Sequence, residues 1–289
     1  SFDEPMEVAK SLIRTAIRAP EGKRFSCADW SAIEARMLAY LAGEETLMDI
    51  FRSGGDPYVT MASIVYNVET SEVTKPMRQL GKQIILGCGY GMSARTFEKT
   101  CEGYGMDLSQ LGVTAEKAVK TYRNSYKSIP KFWYALDDAV MKSVESPGAV
   151  QKVGRIHIKT TGGKMYIKLP SGRCIAYQGV QIRQHPYFEG KMEVSYMTQA
   201  QGRYIRVGTY GGKLCENVVQ GACADLMMFT LDLCSEKGLP VVMTVHDEVV
   251  VEDSRDRLSE LTEIMQTPPD WCSDFPLDAE GWVGESYRK

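Results

Sequence analysis

The sequence lacks several features that define common protein classes. It has only three histidines, and its eight cysteines include no C-x-x-C pair, so a zinc site is not expected. No uninterrupted apolar run reaches the roughly 18 residues of a membrane span, and the opening SFDEPMEVAK has neither the basic nor the apolar region of a signal peptide. These absences predict a cytoplasmic protein without membrane association, whose thiols are reduced and mostly buried.

An excess of positive charge is also missing. The chain carries 34 basic and 37 acidic residues, for a formal net charge of −3. Proteins that bind nucleic acid usually show a strongly basic footprint, so such a role here must depend on local arrangements of residues. What the chain does have is an apolar fraction of 44% over 289 residues, enough to form the core of one large domain or two modest ones.

The hydrophobic pattern predicts an α+β fold. Residues 23–29 have the pattern of a short strand, and apolar residues then recur at helical spacing over 31–51. Further helices are predicted for 56–66 with Asp56 as N-cap, from about Lys75, for 114–126, 130–145, 214–237 and 254–266. Short β-prone hairpins are predicted for 149–212, and one more hairpin for 240–252. Sheet-forming segments at both chain ends therefore flank a helical middle.

Two carboxylates, Asp247 and Glu248, lie between runs of valine in VVMTVHDEVVVE. An exposed hairpin tip would explain them simply. The β-branched flanks instead indicate strands buried on both faces, and carboxylates in such surroundings need a cation as partner.

Asp29, at the predicted strand-to-helix junction, is a third candidate. It could be an ordinary residue before a helix, since Ser31 and Glu34 match a capping box. If it instead ends a central strand beside the turn at Asp247, the two aspartates would suit Mg²⁺, which prefers oxygen ligands.

A third pattern lies in RQLGKQIILGCGYGMS. Arg78, Lys82, Leu86 and Tyr90 are spaced by four and so share one face of a predicted helix. Two cations one turn apart often mark only a solvated face. Here the stripe continues into an apolar and an aromatic residue, which suits a triphosphate held by the cations and a base and sugar packed beyond them.

Three segments, DWSAIEARMLAYLAG, RQLGKQIILGCGYGMS and VHDEVVVE, resemble motifs A, B and C of the family A DNA polymerases, in that order. The rest of the chain is similar to bacteriophage members of the family. The resemblance implies a right-hand polymerase fold, with an antiparallel palm sheet in residues 1–50 and 206–289. It also implies a largely helical fingers insertion and hairpin region in 51–205. Because the sequence starts just before the first motif, no thumb or exonuclease domain is expected in this chain, which is a departure from the family.

The resemblance further implies template-directed transfer of deoxynucleotides from dNTPs to a primer 3′-hydroxyl, with two Mg²⁺ ions as cofactors. The implied metal ligands are Asp29, Asp247 and the backbone carbonyl of Trp30. The implied catalytic residues are Asp29, Asp247, Lys82, Arg78 and Glu248. The implied nucleotide-binding residues are Glu34, Arg78, Lys82, Leu86, Tyr90 and Tyr58. The implied DNA-binding residues are Arg36, His246, Gln220 and Asn217.

Within these sets, Glu34 occupies the position that excludes a 2′-hydroxyl, and Asp247 is expected to be less dispensable than Glu248. The implied partners are primer–template DNA, dNTPs and a separate thumb or exonuclease segment, in the cytoplasm of an infected bacterium.

The sequence departs from the family pattern at three positions. Leu86 replaces an aromatic residue, Tyr58 replaces a histidine, and Asn217 lies three rather than four residues before Gln220. Two alternatives stay open. A single-subunit RNA polymerase relative would lack the acid at position 34 and the HDE triplet, whereas a truncated, non-catalytic DNA-binding fragment would keep every motif. The sequence does not set the oligomeric state.

Overall fold

The computed structural model describes residues 14–200 and 202–287. Within that part, the α-helices are α1 Ile33–Ala42, α2 Glu45–Arg52, α3 Pro57–Tyr66, α4 Lys75–Cys88, α5 Ala94–Gly103, α6 Ala115–Ser125, α7 Ser128–Glu145, α8 Gly211–Glu236 and α9 Leu258–Met265. The strands are β1 Arg24–Trp30, β2 Val150–Val153, β3 Ile156–Thr161, β4 Lys164–Lys168, β5 Cys174–Gln184, β6 Met192–Ala200, β7 Arg203–Gly208, β8 Val241–Val245, β9 Glu248–Asp253 and β10 Ala279–Gly284. Together they form two antiparallel sheets with helices, which confirms the predicted α+β class.

The chain divides into two compact units. The first combines the chain up to Ile33 with the chain from Ala224 onwards, and the second runs from Glu34 to Cys223. The predicted palm and fingers boundaries, at 50/51 and 205/206, fall elsewhere. They stay a prediction, because compactness alone does not identify a palm or fingers.

The sheet of the first unit has the order β10-β1-β9-β8, so strands from both ends of the chain lie side by side. Val249, Val250 and Val251 of β9 are fully buried, as the valine runs predicted. For β8 the prediction of burial on both faces is wrong, because it is the edge strand and Val242 is 53% exposed.

The two faces of this sheet are covered differently. On one face, Phe25, Cys27 and Val250 form an apolar cluster with Tyr287 from the end of the chain. On the other face, the indole N–H of Trp30 donates to the carbonyl of Met265 in α9, at 2.7 Å. Because side chains alternate along a strand, Asp29 lies on the same face of β1 as Cys27.

The sheet of the second unit is a meander with the order β2-β3-β4-β5-β6-β7, in which every strand pairs with its sequence neighbour. This confirms the hairpins predicted for 149–212. The register shifts once, between Gln178 and Gln181, where β5 pairs with β6. Helix α7 packs against β2 and β3 and buries Ile129, Leu136 and Val140.

The helical segment predicted for 31–51 is two helices, α1 and α2. Gly43 separates them with φ 65°, a left-handed conformation that glycine adopts without steric cost. Helix α1 begins at Ile33, and the capping box of Ser31 and Glu34 stays a prediction. The N-cap prediction for Asp56 is confirmed: its carboxylate accepts from the backbone N–H groups of Tyr58 and Val59.

The remaining sequence predictions concern thiols, membranes and the chain end. All eight cysteines are free, and all but Cys174 and Cys223 are buried, which confirms the thiol prediction. In the described part, α8 is the one helix long and apolar enough to cross a membrane, with mean hydropathy 1.3. A third of its apolar window is buried, and the absence of membrane association stays a prediction. The tail after Pro276, for which no element was predicted, contains β10.

Candidate active site

Asp29 lies in the middle of a row of acidic residues on the first unit's sheet. It pairs with Glu248 on β9 and with Glu280 on β10. Directly opposite residues of antiparallel strands project from the same face, and like charges in such pairs destabilise the sheet. A cation bound at this end of β1 would relieve that repulsion. Glu280 was missed from the sequence because glycines interrupt the strand pattern of AEGWVG.

Asp247 lies in a two-residue turn beside the end of β1. Val245 pairs with Glu248, so only His246 and Asp247 connect β8 to β9, and His246 has φ 58°. The backbone N–H of Trp30 donates to the carbonyl of Asp247 at 3.4 Å. The predicted juxtaposition of the Asp29 strand end and the Asp247 turn is therefore confirmed. A two-residue loop leaves little freedom, so it fixes the register of β8 and β9.

Glu248 differs from its neighbour more than the sequence suggested. It is the first residue of β9 rather than part of the turn, and it is 1% exposed, whereas Asp247 is half-buried and His246 is exposed. Burial, reinforced by the charge of Glu248, raises the pKa of Cys27 to about 12. Burial, followed by polar interaction with the Glu248 carboxylate, also raises the pKa of Tyr287 to about 12. Glu248 is thus an acid enclosed by the apolar cluster, not one presented to solvent.

The donor atoms at this end of the sheet suit magnesium. The N–H and C=O of a residue in an antiparallel ladder point to the same neighbour, so the carbonyl of Trp30 is directed to the Asp247 side. Two aspartates and a carbonyl give an all-oxygen set, which Mg²⁺ prefers. No group of three or more His, Cys, Asp or Glu in the described residues forms a ready metal cluster. Water and phosphate oxygens would supply the remaining ligands, as is usual for this ion.

The second unit brings Arg78, Lys82 and Tyr58 together. The Arg78 guanidinium carbon lies 5.3 Å from the centre of the Tyr58 ring, and the Lys82 ammonium lies 6.0 Å from it. Arg78 also donates to Asp56 at 2.6 Å, with side chains 45% and 33% exposed. An ion pair this exposed is weak, so an incoming phosphate can replace Asp56 as the partner of Arg78. The sequence had identified Asp56 only as a helix cap.

Glu34, Leu86 and Tyr90 line one small pocket. The Tyr90 hydroxyl donates to a carboxylate oxygen of Glu34 at 3.3 Å. Burial, with the negative charge of Glu34, raises the pKa of Tyr90 above its ordinary value, so the phenol keeps the proton that it donates. Leu86 is 37% exposed, and α4 ends at Cys88, so Tyr90 follows the helix rather than lying on it.

The predicted DNA-binding residues of the second unit, Arg36, Asn217 and Gln220, differ in their exposure to solvent. Arg36 is 4% exposed, with its guanidinium 4.5 Å above the Phe51 ring, a position better suited to orienting neighbours than to meeting a duplex. Asn217 donates to the Tyr177 hydroxyl at 2.7 Å, while Gln220, one turn along α8, is exposed. Their contacts with DNA stay predictions. The sequence gave no signal for Tyr177.

Comparison with known proteins identifies the family. A sequence model of DNA polymerase family A matches residues 5–158. The chain is 35% identical over 288 residues to a DNA polymerase of Bacillus phage SP02, covering 98% of this chain and 44% of the phage protein. It is 27% identical over 282 residues to the thermostable DNA polymerase I of Thermus thermophilus, covering 95% of this chain and 28% of that enzyme. The chain thus spans less than half the length of these relatives.

The fold has a matching solved structure. The POL domain of Pol1 from M. smegmatis, solved in complex with DNA primer-template and dNTP, superposes with a TM-score of 0.60 at 21% identity. The match covers 96% of this chain and 42% of that one. The match agrees with the resemblance of the three motifs, and the family model covers more than half of the chain. The chain therefore belongs to DNA polymerase family A.

Proposed function

We propose that this chain contains the catalytic centre of a DNA-directed DNA polymerase that extends a primer 3′-hydroxyl with deoxynucleotides from dNTPs. The observation that carries the proposal is the position of Asp29 and Asp247. They come from opposite ends of the sequence, yet the last residue of β1 bonds to the backbone of Asp247. Family membership supports the same reaction, and the M. smegmatis relative was solved with primer-template and dNTP.

In this proposal Asp29, Asp247 and the Trp30 carbonyl hold two Mg²⁺ ions. When bound, the ions would lower the pKa of the primer hydroxyl and stabilise the charge of the leaving pyrophosphate. Arg78 and Lys82 bind the triphosphate, and Lys82 provides a proton as pyrophosphate leaves. Glu248 supports the turn before β9 and does not bind the ions, because it is enclosed at 1% exposure. His246, exposed at the tip of that turn, contacts the primer end.

Selection of the sugar and base falls to the pocket of the second unit. Glu34 excludes a ribose 2′-hydroxyl, because the Tyr90 phenol orients its carboxylate. Leu86 packs against the sugar, Tyr90 lies by the templating base, and Tyr58 packs with Arg78 and Lys82. A partly buried polar gate of this kind can reject a substrate that leaves its groups unpaired more strongly than an apolar pocket can.

The biological setting belongs to the same proposal. The similarity to the Bacillus phage SP02 enzyme supports a role in replicating phage DNA, in the bacterial cytoplasm and without a membrane. Arg36, Asn217 and Gln220 support or contact the duplex, and a thumb or exonuclease segment would add to its grip.

A primer-extension assay tests the proposal directly. The protein is incubated with labelled primer-template, one dNTP and Mg²⁺, alone and joined to its upstream segment if the natural protein has one. Template-dependent addition that EDTA abolishes is the expected result. Tight DNA binding without any addition in either form would favour the non-catalytic fragment instead. Preference for ribonucleotides would favour the RNA polymerase relative.

A further inference from the structure

Another cavity in the second unit is lined by none of the residues assigned above. It has a volume of 290 Å³ and lies between α7, the loop that joins β5 to β6, and the residues before α8. Small-molecule pockets range from roughly 300 to 1,000 Å³, so this one matches a single compact ligand. The lining residues used below are Asp137, Phe188, Lys191, Glu193, Thr209 and Tyr210.

The cavity has aromatic walls. Phe188 and Tyr210 line it and are 60% and 56% exposed, which is unusual for large rings. The ring of His185, a further lining residue, lies 4.7 Å from that of Phe188, centre to centre, and holds it in place. Flat apolar surfaces open to solvent favour a planar ligand that stacks.

Its polar groups are mainly acceptors. Asp137 forms no hydrogen bond or ion pair among the residues that the structure describes, and burial raises its pKa despite the nearby charge of Lys191. Glu193 is 9% exposed, and Arg183 binds one of its oxygens at 2.7 Å. The other oxygen lies 3.8 Å from His185, beyond hydrogen-bond range.

Thr209 also lines the cavity. It is 3% exposed, and its hydroxyl has no hydrogen-bond partner within the described ranges. Its backbone N–H already donates to Val194 at 2.8 Å, so the side chain is the group left over. That hydroxyl oxygen is closed to solvent, so Thr209 contributes to the wall of the cavity and not to hydrogen bonding with a ligand.

We propose that this cavity binds a guanine base. Guanine presents two adjacent N–H donors on its Watson–Crick edge, which match a carboxylate in a bidentate pair, whereas the other bases present an acceptor there. Asp137 accepts from that edge, and the ring stacks on Tyr210 opposite Phe188. Lys191, exposed at the rim and 5.7 Å above the Phe188 ring, faces the sugar phosphate.

The base can come from a free guanine nucleotide or from an unpaired strand, and both present the same edge. The site goes beyond the proposed polymerase reaction and does not depend on it, because it uses neither the aspartates of β1 and the β9 turn nor the cations of α4. Binding can therefore be measured in EDTA, where metal-dependent catalysis is absent.

Calorimetric titration of the protein with dGMP, dIMP and dAMP in EDTA tests the proposal. We expect dGMP to bind at least about 10-fold more tightly than dIMP, which lacks the amino group, and than dAMP. Asp137→Asn should weaken dGMP binding by about 10-fold or more. Asp138→Asn is the matched control, because Asp138 is the next residue on α7, is 62% exposed and pairs with Lys142.

The comparison of dGMP with dIMP uses unaltered protein, so it decides the question even if a variant fails to fold. Equal affinities for the three nucleotides would overturn the proposal, as would full binding by a folded Asp137→Asn protein. Loss of binding in Lys82→Ala but not in Asp137→Asn would overturn it too, since dGMP would then be bound at α4. If d(TTTGTTT) binds tightly and replacement of its dG by deoxyinosine weakens the binding, the result would support the site and assign it to an unpaired strand. Binding of dGMP alone would support it as a nucleotide site.

Discussion

The proposed catalytic residues and the proposed selection residues are built in contrasting ways. Asp29 and Asp247 come from opposite ends of the chain and are held by β1, by the buried β9 and by a two-residue turn. The residues around α4 come from one segment between 34 and 90, and they are partly exposed, with an ion pair at Arg78 that a ligand can exchange. Rigid, non-local support suits metal ligands, whose geometry must not vary. Adjustable, local support suits residues that must discriminate among nucleotides.

The largest effect should follow a change at one of the proposed metal ligands, Asp29 and Asp247, which have the rigid support. Asp247→Ala should lower Mg²⁺-dependent primer extension by about 10³-fold or more, because it removes charge that positions the ions at the reacting phosphate. The melting temperature should change little, since Asp247 is a half-buried turn residue. Asp270→Ala, at another acidic residue of the same unit and exposed, should leave both quantities unchanged. Metal-dependent extension that persisted in Asp247→Ala would remove Asp247 from the metal site.

Among the proposed selection residues around α4, Glu34→Ala should change the choice of nucleotide rather than the rate of the chemical step. We expect ribonucleotide incorporation relative to deoxynucleotide to rise by about 10- to 100-fold, with dNTP incorporation largely retained. The ratio of kcat/KM for rNTP and dNTP is the measurement. Tyr90→Phe should give a smaller rise, because it removes only the 3.3 Å hydrogen bond that orients Glu34. An unaltered ratio in both variants would mean that Glu34 does not gate the sugar.

Helix packing sets the position of α4, and Gly81→Ala should disturb it. A Cβ at Gly81 would collide with the carbonyl of Tyr58 in α3, so we expect the free energy of unfolding to fall by about 1–3 kcal/mol. Urea denaturation measures the loss. Gly87→Ala on the same helix is the control, since its added carbon would meet Met92 at an ordinary 3.5 Å and helix propensity would improve. Equal stability of the two variants would contradict the close approach of α3 and α4.

The smallest effect is expected at Leu86. Leu86→Tyr restores the type of residue usual in the family and should change discrimination between deoxy and dideoxy nucleotides by about 10-fold. Competition between the two substrates in a chain-termination assay gives the ratio. Since Leu86 is 37% exposed, the larger ring needs no repacking of the core. An unchanged ratio would indicate that this face of α4 points away from the sugar.

Much of the fold could be predicted because its signals are local. The helices α3, α4 and α6 to α9 and the hairpins of the second sheet follow from periodicity, caps and turns within short windows, whereas α5 was not predicted. The errors arose where contacts with residues distant in sequence determine whether a segment is buried or forms a strand. Burial of β8 depends on its place at the sheet edge, and β10 becomes a strand through its pairing with β1, although its glycines weaken the pattern.

For the candidate site too, local patterns could be predicted and contacts between distant segments could not. The residue types and spacings identified Asp29, Asp247 and the stripe from Arg78, and the three motifs together indicated the family. They did not indicate that Glu248 would be enclosed, that Asp56 would pair with Arg78, or that Glu280 would lie opposite Asp29.

The sequence by itself determined the α+β class, the family and the candidate residues for its chemistry, because motif spacing and hydrophobic period are local properties of the chain. Only the tertiary structure decided which acids face each other, which is buried and which polar groups, such as Thr209, are left without a partner. Those properties depend on contacts between segments far apart in sequence, and no local pattern encodes them.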